Sequence, residues 1–133
     1  MPTVLLLPHI RELDALVIRL LETLDYEAAV LPEGEAPAAA VKRLTPVAVM
    51  MDADHPATRE PALMHAAQGV GAPIILFSAS RSPGELRREA ETYATGYFLL
   101  PNGPRALTAA IEAALDVVRR HHIDAGRGAT EAA

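Results

Sequence analysis

Asp52, Asp54 and His55 crowd together directly after the apolar run Val47 to Met51, two carboxylates and an imidazole in four positions. A second apolar run, Ile74 to Phe77, ends in Ser78, with Ser80 two places on, and a first one, Val4 to Leu7, ends in Pro8 and His9. Side chains of these types do a limited set of things. A carboxylate such as Asp52 attacks a phosphoryl donor or helps hold a magnesium ion, which prefers oxygen ligands. Asp52, Asp54 and His9, with His55 beside them, are candidate ligands for a softer ion such as zinc or nickel, which imidazole and carboxylate suit together. Asp54 and His55 are neighbours whose side chains are free to diverge, so a solvated loop carboxylate is the plain reading of Asp54. Ser78 as a hydrolytic nucleophile lacks a histidine with a secure place beside it. Glycines such as Gly69, Gly71 and Gly84 form no loop of the phosphate-cradling kind.

All of this depends on what lies behind those residues. Pro46 to Pro56 holds an apolar run too short for a helix and bounded by prolines, which reads as a strand buried on both faces and therefore part of a parallel sheet. Thr3 to Leu7, Glu27 to Leu31, Pro73 to Ser78 and Tyr97 to Leu100 read as four more strands, the second a weak one at an edge. Between them lie helical stretches. Ile10, Leu13, Leu16, Val17, Leu20, Leu21 and Leu24 recur at helical spacing, and Ala36 to Leu44 is alanine-rich. Pro61 to Gln68 is a short helix ended by Gly69 and Gly71. Ser82-Pro83-Gly84-Glu85 is a capping box that starts an exposed helix reaching Tyr93. The last helix runs from Pro104 to near His121 on the stripe Leu107, Ile111, Leu115 and Val118. Arg119 to His122 then sit where cations suit a helix C-terminus. Residues 124–133 have no apolar periodicity and are expected to be a disordered tail, leaving one domain over 1–123. Strands alternating with helices give an α/β fold, a three-layer α/β/α sandwich around a five-stranded parallel sheet of flavodoxin-like topology. Ligands of such sheets bind beyond the strands' carboxyl ends, which here bring His9, Asp52, Asp54, Ser78, Ser80, Leu100 and Pro101 to one rim.

Composition narrows the function. The chain has 133 residues, half of them apolar, a formal charge of −5 and no cysteine. That excludes disulfides and thiolate chemistry, and an acidic chain with two Phe, three Tyr and no Trp is a poor nucleic-acid binder. No apolar run approaches the roughly 20 residues that span a bilayer, and the first residues carry no basic leader, so no membrane association and a cytoplasmic location are expected.

At this point the chain resembles the receiver domain of bacterial two-component response regulators, over about residues 3–120. Asp52, with Pro56 four residues later, matches the segment in which a phosphoacceptor aspartate ends the third strand. Ser78 followed by Ala79 matches the hydroxyl and small residue that end the fourth. Tyr97 and Pro101 match the switch aromatic and the proline of the fifth. The resemblance implies a phosphoryl group accepted at Asp52 from a histidine kinase, a magnesium cofactor, and a partner surface on the fourth helix, fifth strand and fifth helix. Tyr97, Arg87, Arg88 and Arg105 would sit on that surface.

The departures from the family pattern bear on the chemistry. Receivers carry an acidic pair at the end of the first strand, where this chain has Pro8 and His9. They carry a lysine before the fifth-strand proline, where it has Leu100. Phosphoryl transfer is catalysed by positioning and charge stabilisation, and the missing groups supplied much of both. Losing one such group costs on the order of 3 kcal/mol of transition-state stabilisation. The expectation is a stand-alone, degenerate receiver-like domain, not an enzyme, that signals by protein contact with little or no aspartyl phosphorylation and no cofactor. Its partner would be a histidine kinase or another signalling protein, or a second copy bound through the surface around Tyr97. Two alternatives stay open. One is a single-domain regulator phosphorylated at Asp52 with magnesium bound. The other is a flavodoxin-like module that takes a small ligand or a metal at the rim.

Overall fold

The computed structural model describes residues 1–7, 11–78, 82–94, 96–99 and 104–132. In chain order these form β1 (Thr3–Leu7), α1 (Arg11–Thr23), β2 (Glu27–Val30), α2 (Pro37–Leu44), β3 (Ala48–Asp52), α3 (Pro61–Val70), β4 (Ile74–Ser78), α4 (Pro83–Tyr93), β5 (Gly96–Leu99) and α5 (Pro104–Ala132). A 3-10 turn, Pro56–Arg59, stands between β3 and α3.

Every strand pair is parallel, and the sheet order is β2-β1-β3-β4-β5. The expected three-layer sandwich follows from alternation along the strands. Leu5, Leu7, Val49, Met51, Ile74 and Leu76 point to one face and pack with Val41 of α2, Leu63 of α3 and Leu86 of α4. Val4, Leu6, Ala48, Met50, Ile75 and Phe77 point to the other and pack with Leu21 of α1 and with Leu107, Ile111, Leu115 and Val118 of α5. The stripe expected on the last helix is thus the one that is buried. β3 lies between β1 and β4 and is covered on both faces, which is why its sequence is apolar without alternation.

Local chemistry sets where the helices begin and end. The Ser82 hydroxyl accepts the Glu85 N–H at 3.3 Å, and Pro83 occupies the first turn of α4, as the capping box requires. Leu86 and Ala90, one turn apart, are the buried residues of this helix among those described. α3 ends at Gly71, whose φ of 73° is the left-handed conformation that glycine adopts without strain. Gly69 lies inside α3 and does not help to end it. Behind α2, the Arg43 guanidinium holds both carboxylate oxygens of Glu35, with contacts from 2.7 to 3.2 Å. That hydrogen bonding raises the Arg43 pKa above its ordinary value.

The C-terminal segment departs from expectation. α5 is continuous to Ala132, so residues 124–132 are helical where a disordered tail was expected. Ala125, Ala129 and Ala132 favour helix strongly enough for the turn to continue past Gly126 and Gly128. Arg119 to His122 are accordingly inside the helix and do not terminate it. Arg119 and Arg120 pair with Asp116 at 3.6 and 3.1 Å, one turn back. The His122 Nε2 donates to the Val47 carbonyl at 2.7 Å, a contact across 75 positions that ties α5 to the entry of β3. No helix among the described residues is long and apolar enough to cross a membrane.

Candidate functional site

Asp52 is the last residue of β3 and pairs in register with Phe77 of β4, which puts Ser78 one step further along the neighbouring strand. The sheet therefore brings this carboxylate and this hydroxyl to the carboxyl ends of adjacent central strands, as the sequence suggested. Their surroundings differ. Asp52 is half-buried, and its Oδ1 accepts the backbone N–H of Asp54 at 2.8 Å. This is an Asx turn, closed by the Asp52 carbonyl accepting the His55 N–H at 3.0 Å. One carboxylate oxygen is thereby committed to folding the loop that follows. Ser78 is 0% exposed and hydrogen-bonded or otherwise engaged, and Asp54, exposed, and His55, half-buried, are engaged as well.

His55 has a role that the sequence did not signal. Its Nδ1 accepts the Ala57 N–H at 3.0 Å and its carbonyl accepts the Thr58 hydroxyl at 2.9 Å, so it caps the 3-10 turn. An Nδ1 that accepts leaves the proton on Nε2, so in this arrangement neither ring nitrogen presents a lone pair to a cation. The backbone packs the same turn against the sheet: the Ala53 N–H reaches the Phe77 carbonyl at 2.8 Å, and Ala53 and Ala57 are buried. The loop after β3 is thus built largely from its own hydrogen bonds. Asp52 and Asp54 begin it together, and their shared use in the turn accounts for much of their spacing.

The remaining rim candidates His9, Ser80, Leu100 and Pro101, with Pro8, lie outside the described residues. So do the side chains of Tyr97 and Arg105 on the expected partner surface. Among the described residues no group of three or more His, Asp or Glu side chains is arranged to hold a metal ion. On α4, Arg87 is exposed and pairs with Glu91 at 3.0 Å, and the Arg88 Nε donates to the Gly84 carbonyl at 3.2 Å. Exposed pairs of this kind add about 0.3–0.5 kcal/mol to a helix and leave its outer face a mixed-charge surface.

Neither a protein-family model nor a curated protein matches the chain. Solved structures do. The signal receiver domain of a modulated diguanylate cyclase from Desulfovibrio desulfuricans G20 is 22% identical, with a TM-score of 0.67 over 93% of this chain and 98% of that one. The chemotaxis response regulator CheY4 of Vibrio cholerae is 20% identical, with a TM-score of 0.65 over 88% of this chain and 98% of that one. NtrX from Brucella abortus is 16% identical at a TM-score of 0.75, and this chain covers 29% of it. The class that these similarities define is structural: the chain has the fold of a response regulator receiver domain.

Proposed function

We propose that the chain is a receiver-like signalling module that acts by contact with another protein, with little or no phosphorylation of Asp52. The observation that carries this reading is the combination at the rim. Asp52 has one oxygen engaged in an Asx turn, Ser78 is sealed in the sheet, and the sequence places Pro8, His9 and Leu100 where receivers have the acidic pair and the lysine. For Asp52 to take a phosphoryl group, a carboxylate oxygen must attack phosphorus while the donor's leaving atom, the imidazole nitrogen of a phosphohistidine or the carboxylate oxygen of acetyl phosphate, departs with the bonding pair. Negative charge accumulates through that exchange, and a magnesium ion and an ammonium ordinarily absorb it. The carboxylates near enough in sequence to hold magnesium here are Asp52 and Asp54, and Leu100 has no charge to offer. Residues of such a domain that remain available to a partner are surface ones, and Arg87 and Arg88 on α4, with Tyr97 and Arg105, form the surface favoured here. A homodimer through that surface, or a histidine kinase, is a fitting partner.

The place of Asp52 at the end of a central strand, next to a hydroxyl-bearing strand, favours one second reading: a regulator still phosphorylated there with magnesium. Intact mass after incubation with acetyl phosphate and magnesium, beside Asp52→Asn, separates the two. No mass gain in the folded protein is expected. A single phosphoryl adduct absent from the Asp52→Asn control would replace the first reading with the second.

A further inference from the structure

At the opposite end of the sheet from Asp52, beneath the entry of β4, lies a half-enclosed cavity of about 420 Å³ that the receiver-like reading leaves unused. Apolar residues supply much of its lining: Met64 and Ala67 from α3, Ala72 and Pro73 from the strand entry, and Ile74 from β4. Three polar residues from three helices also line it, Gln68 of α3, Thr92 of α4 and His121 of α5. No carboxylate, ammonium or guanidinium is among the described residues that line it.

We propose that this cavity binds a small neutral heteroaromatic molecule with both hydrogen-bond donor and acceptor edges, a compound of the nucleobase class. Three observations point to that chemistry. The volume falls in the range of small-molecule sites, about 300–1,000 Å³, in which apolar walls with a few convergent polar groups are the usual composition. The absence of charged walls disfavours phosphates, carboxylic acids and amines, whose desolvation nothing described there would offset. The polar groups offer both halves of a hydrogen-bond pattern: Gln68 donates and accepts, and His121 carries one donor and one acceptor in its neutral form. Neither side chain is hydrogen-bonded among the described residues, and the His121 ring makes an edge-on contact with His122, with ring centroids 5.5 Å apart. The Thr92 hydroxyl gives its hydrogen to the Arg88 carbonyl at 3.3 Å and keeps its lone pairs for a donor. A flat ring suits a lining that includes Met64, since a thioether packs well on an aromatic face.

The test is isothermal calorimetry with adenine as the probe and quinoline as a ring of similar size without a donor edge. Saturable adenine binding is expected, weakened about tenfold or more by Gln68→Ala or His121→Ala and by the change to quinoline. Circular dichroism verifies that each variant is folded, and Gln68 is exposed on α3, so Gln68→Ala retains the test if His121→Ala unfolds. No adenine binding up to its solubility limit, adenine binding that Gln68→Ala leaves unchanged, or quinoline bound as tightly as adenine would each overturn the assignment. The cavity lies at the other end of the strands, so this outcome and the phosphorylation result are read separately.

Discussion

A carboxylate that folds its own loop is less free to react with anything else. Asp52 accepts the Asp54 N–H at 2.8 Å, and this bond is part of how the chain leaves β3. Asp52→Ala is expected to lower unfolding stability by about 1 kcal/mol, the usual net worth of a hydrogen bond, while Asp52→Asn, which keeps an acceptor oxygen, stays within about 0.5 kcal/mol of the parent in urea denaturation. Equal losses in both variants would show that charge, and not the turn, is what the site needs. The place of Asp52 was legible in the sequence because an apolar run ending in an acidic segment marks a buried strand and its exit. The use of its oxygen was not, since an Asx turn depends on backbone angles that residue types only bias. His55 is a sharper case. Histidine is not among the usual capping residues, Ser, Thr, Asp and Asn, so neither type nor spacing announced that its Nδ1 would take the Ala57 N–H.

Helix ends were legible where a motif names them and obscure where composition alone has to. Ser82, Pro83 and Glu85 specify the start of α4 through one side-chain hydrogen bond, and the structure has it there. Ser82→Ala is expected to cost about 1 kcal/mol in the same denaturation experiment, with Ser82→Gly costing less because glycine is tolerated at a helix cap. The far end of α5 had no comparable signal. The missing apolar periodicity read as a tail, yet the helix continues past Gly126 and Gly128 to Ala132. The consequence for Arg119 to His122 is large, since a helix terminus and a helix interior call for different partners. Asp116, one turn back from Arg119 and Arg120, was the available clue that these cations serve an interior ion pair.

At the scale of the molecule, one sheet separates two cores that share no helix. Leu63 of α3 sits in one and Leu115 of α5 in the other, at 0% and 1% exposure. Leu63→Ala and Leu115→Ala are each expected to cost about 2–5 kcal/mol, a large share of the roughly 5–15 kcal/mol that holds a domain folded. Their effects should add in the double variant, because they belong to separate buried clusters on opposite faces of the sheet. A coupling well outside about 0.5 kcal/mol would mean that the two layers relax together. This architecture was readable from periodicity because parallel strands and amphipathic helices leave strong, regular patterns. The cavity under β4 was not, since Gln68, Thr92 and His121 come from three helices and meet only in the folded chain.

The side-by-side methionines of β3 have a use in spectroscopy. Met50 faces the layer of α1 and α5, and Met51, the next residue, faces the layer of α2, α3 and α4. Met64 lines the cavity under β4, and Met1 is largely exposed. The chain has four methionines in all. A single carbon-13 methyl label on methionine therefore installs one reporter in each core, one at the cavity and one in solvent. The four resonances together would show which side of the sheet responds when anything binds.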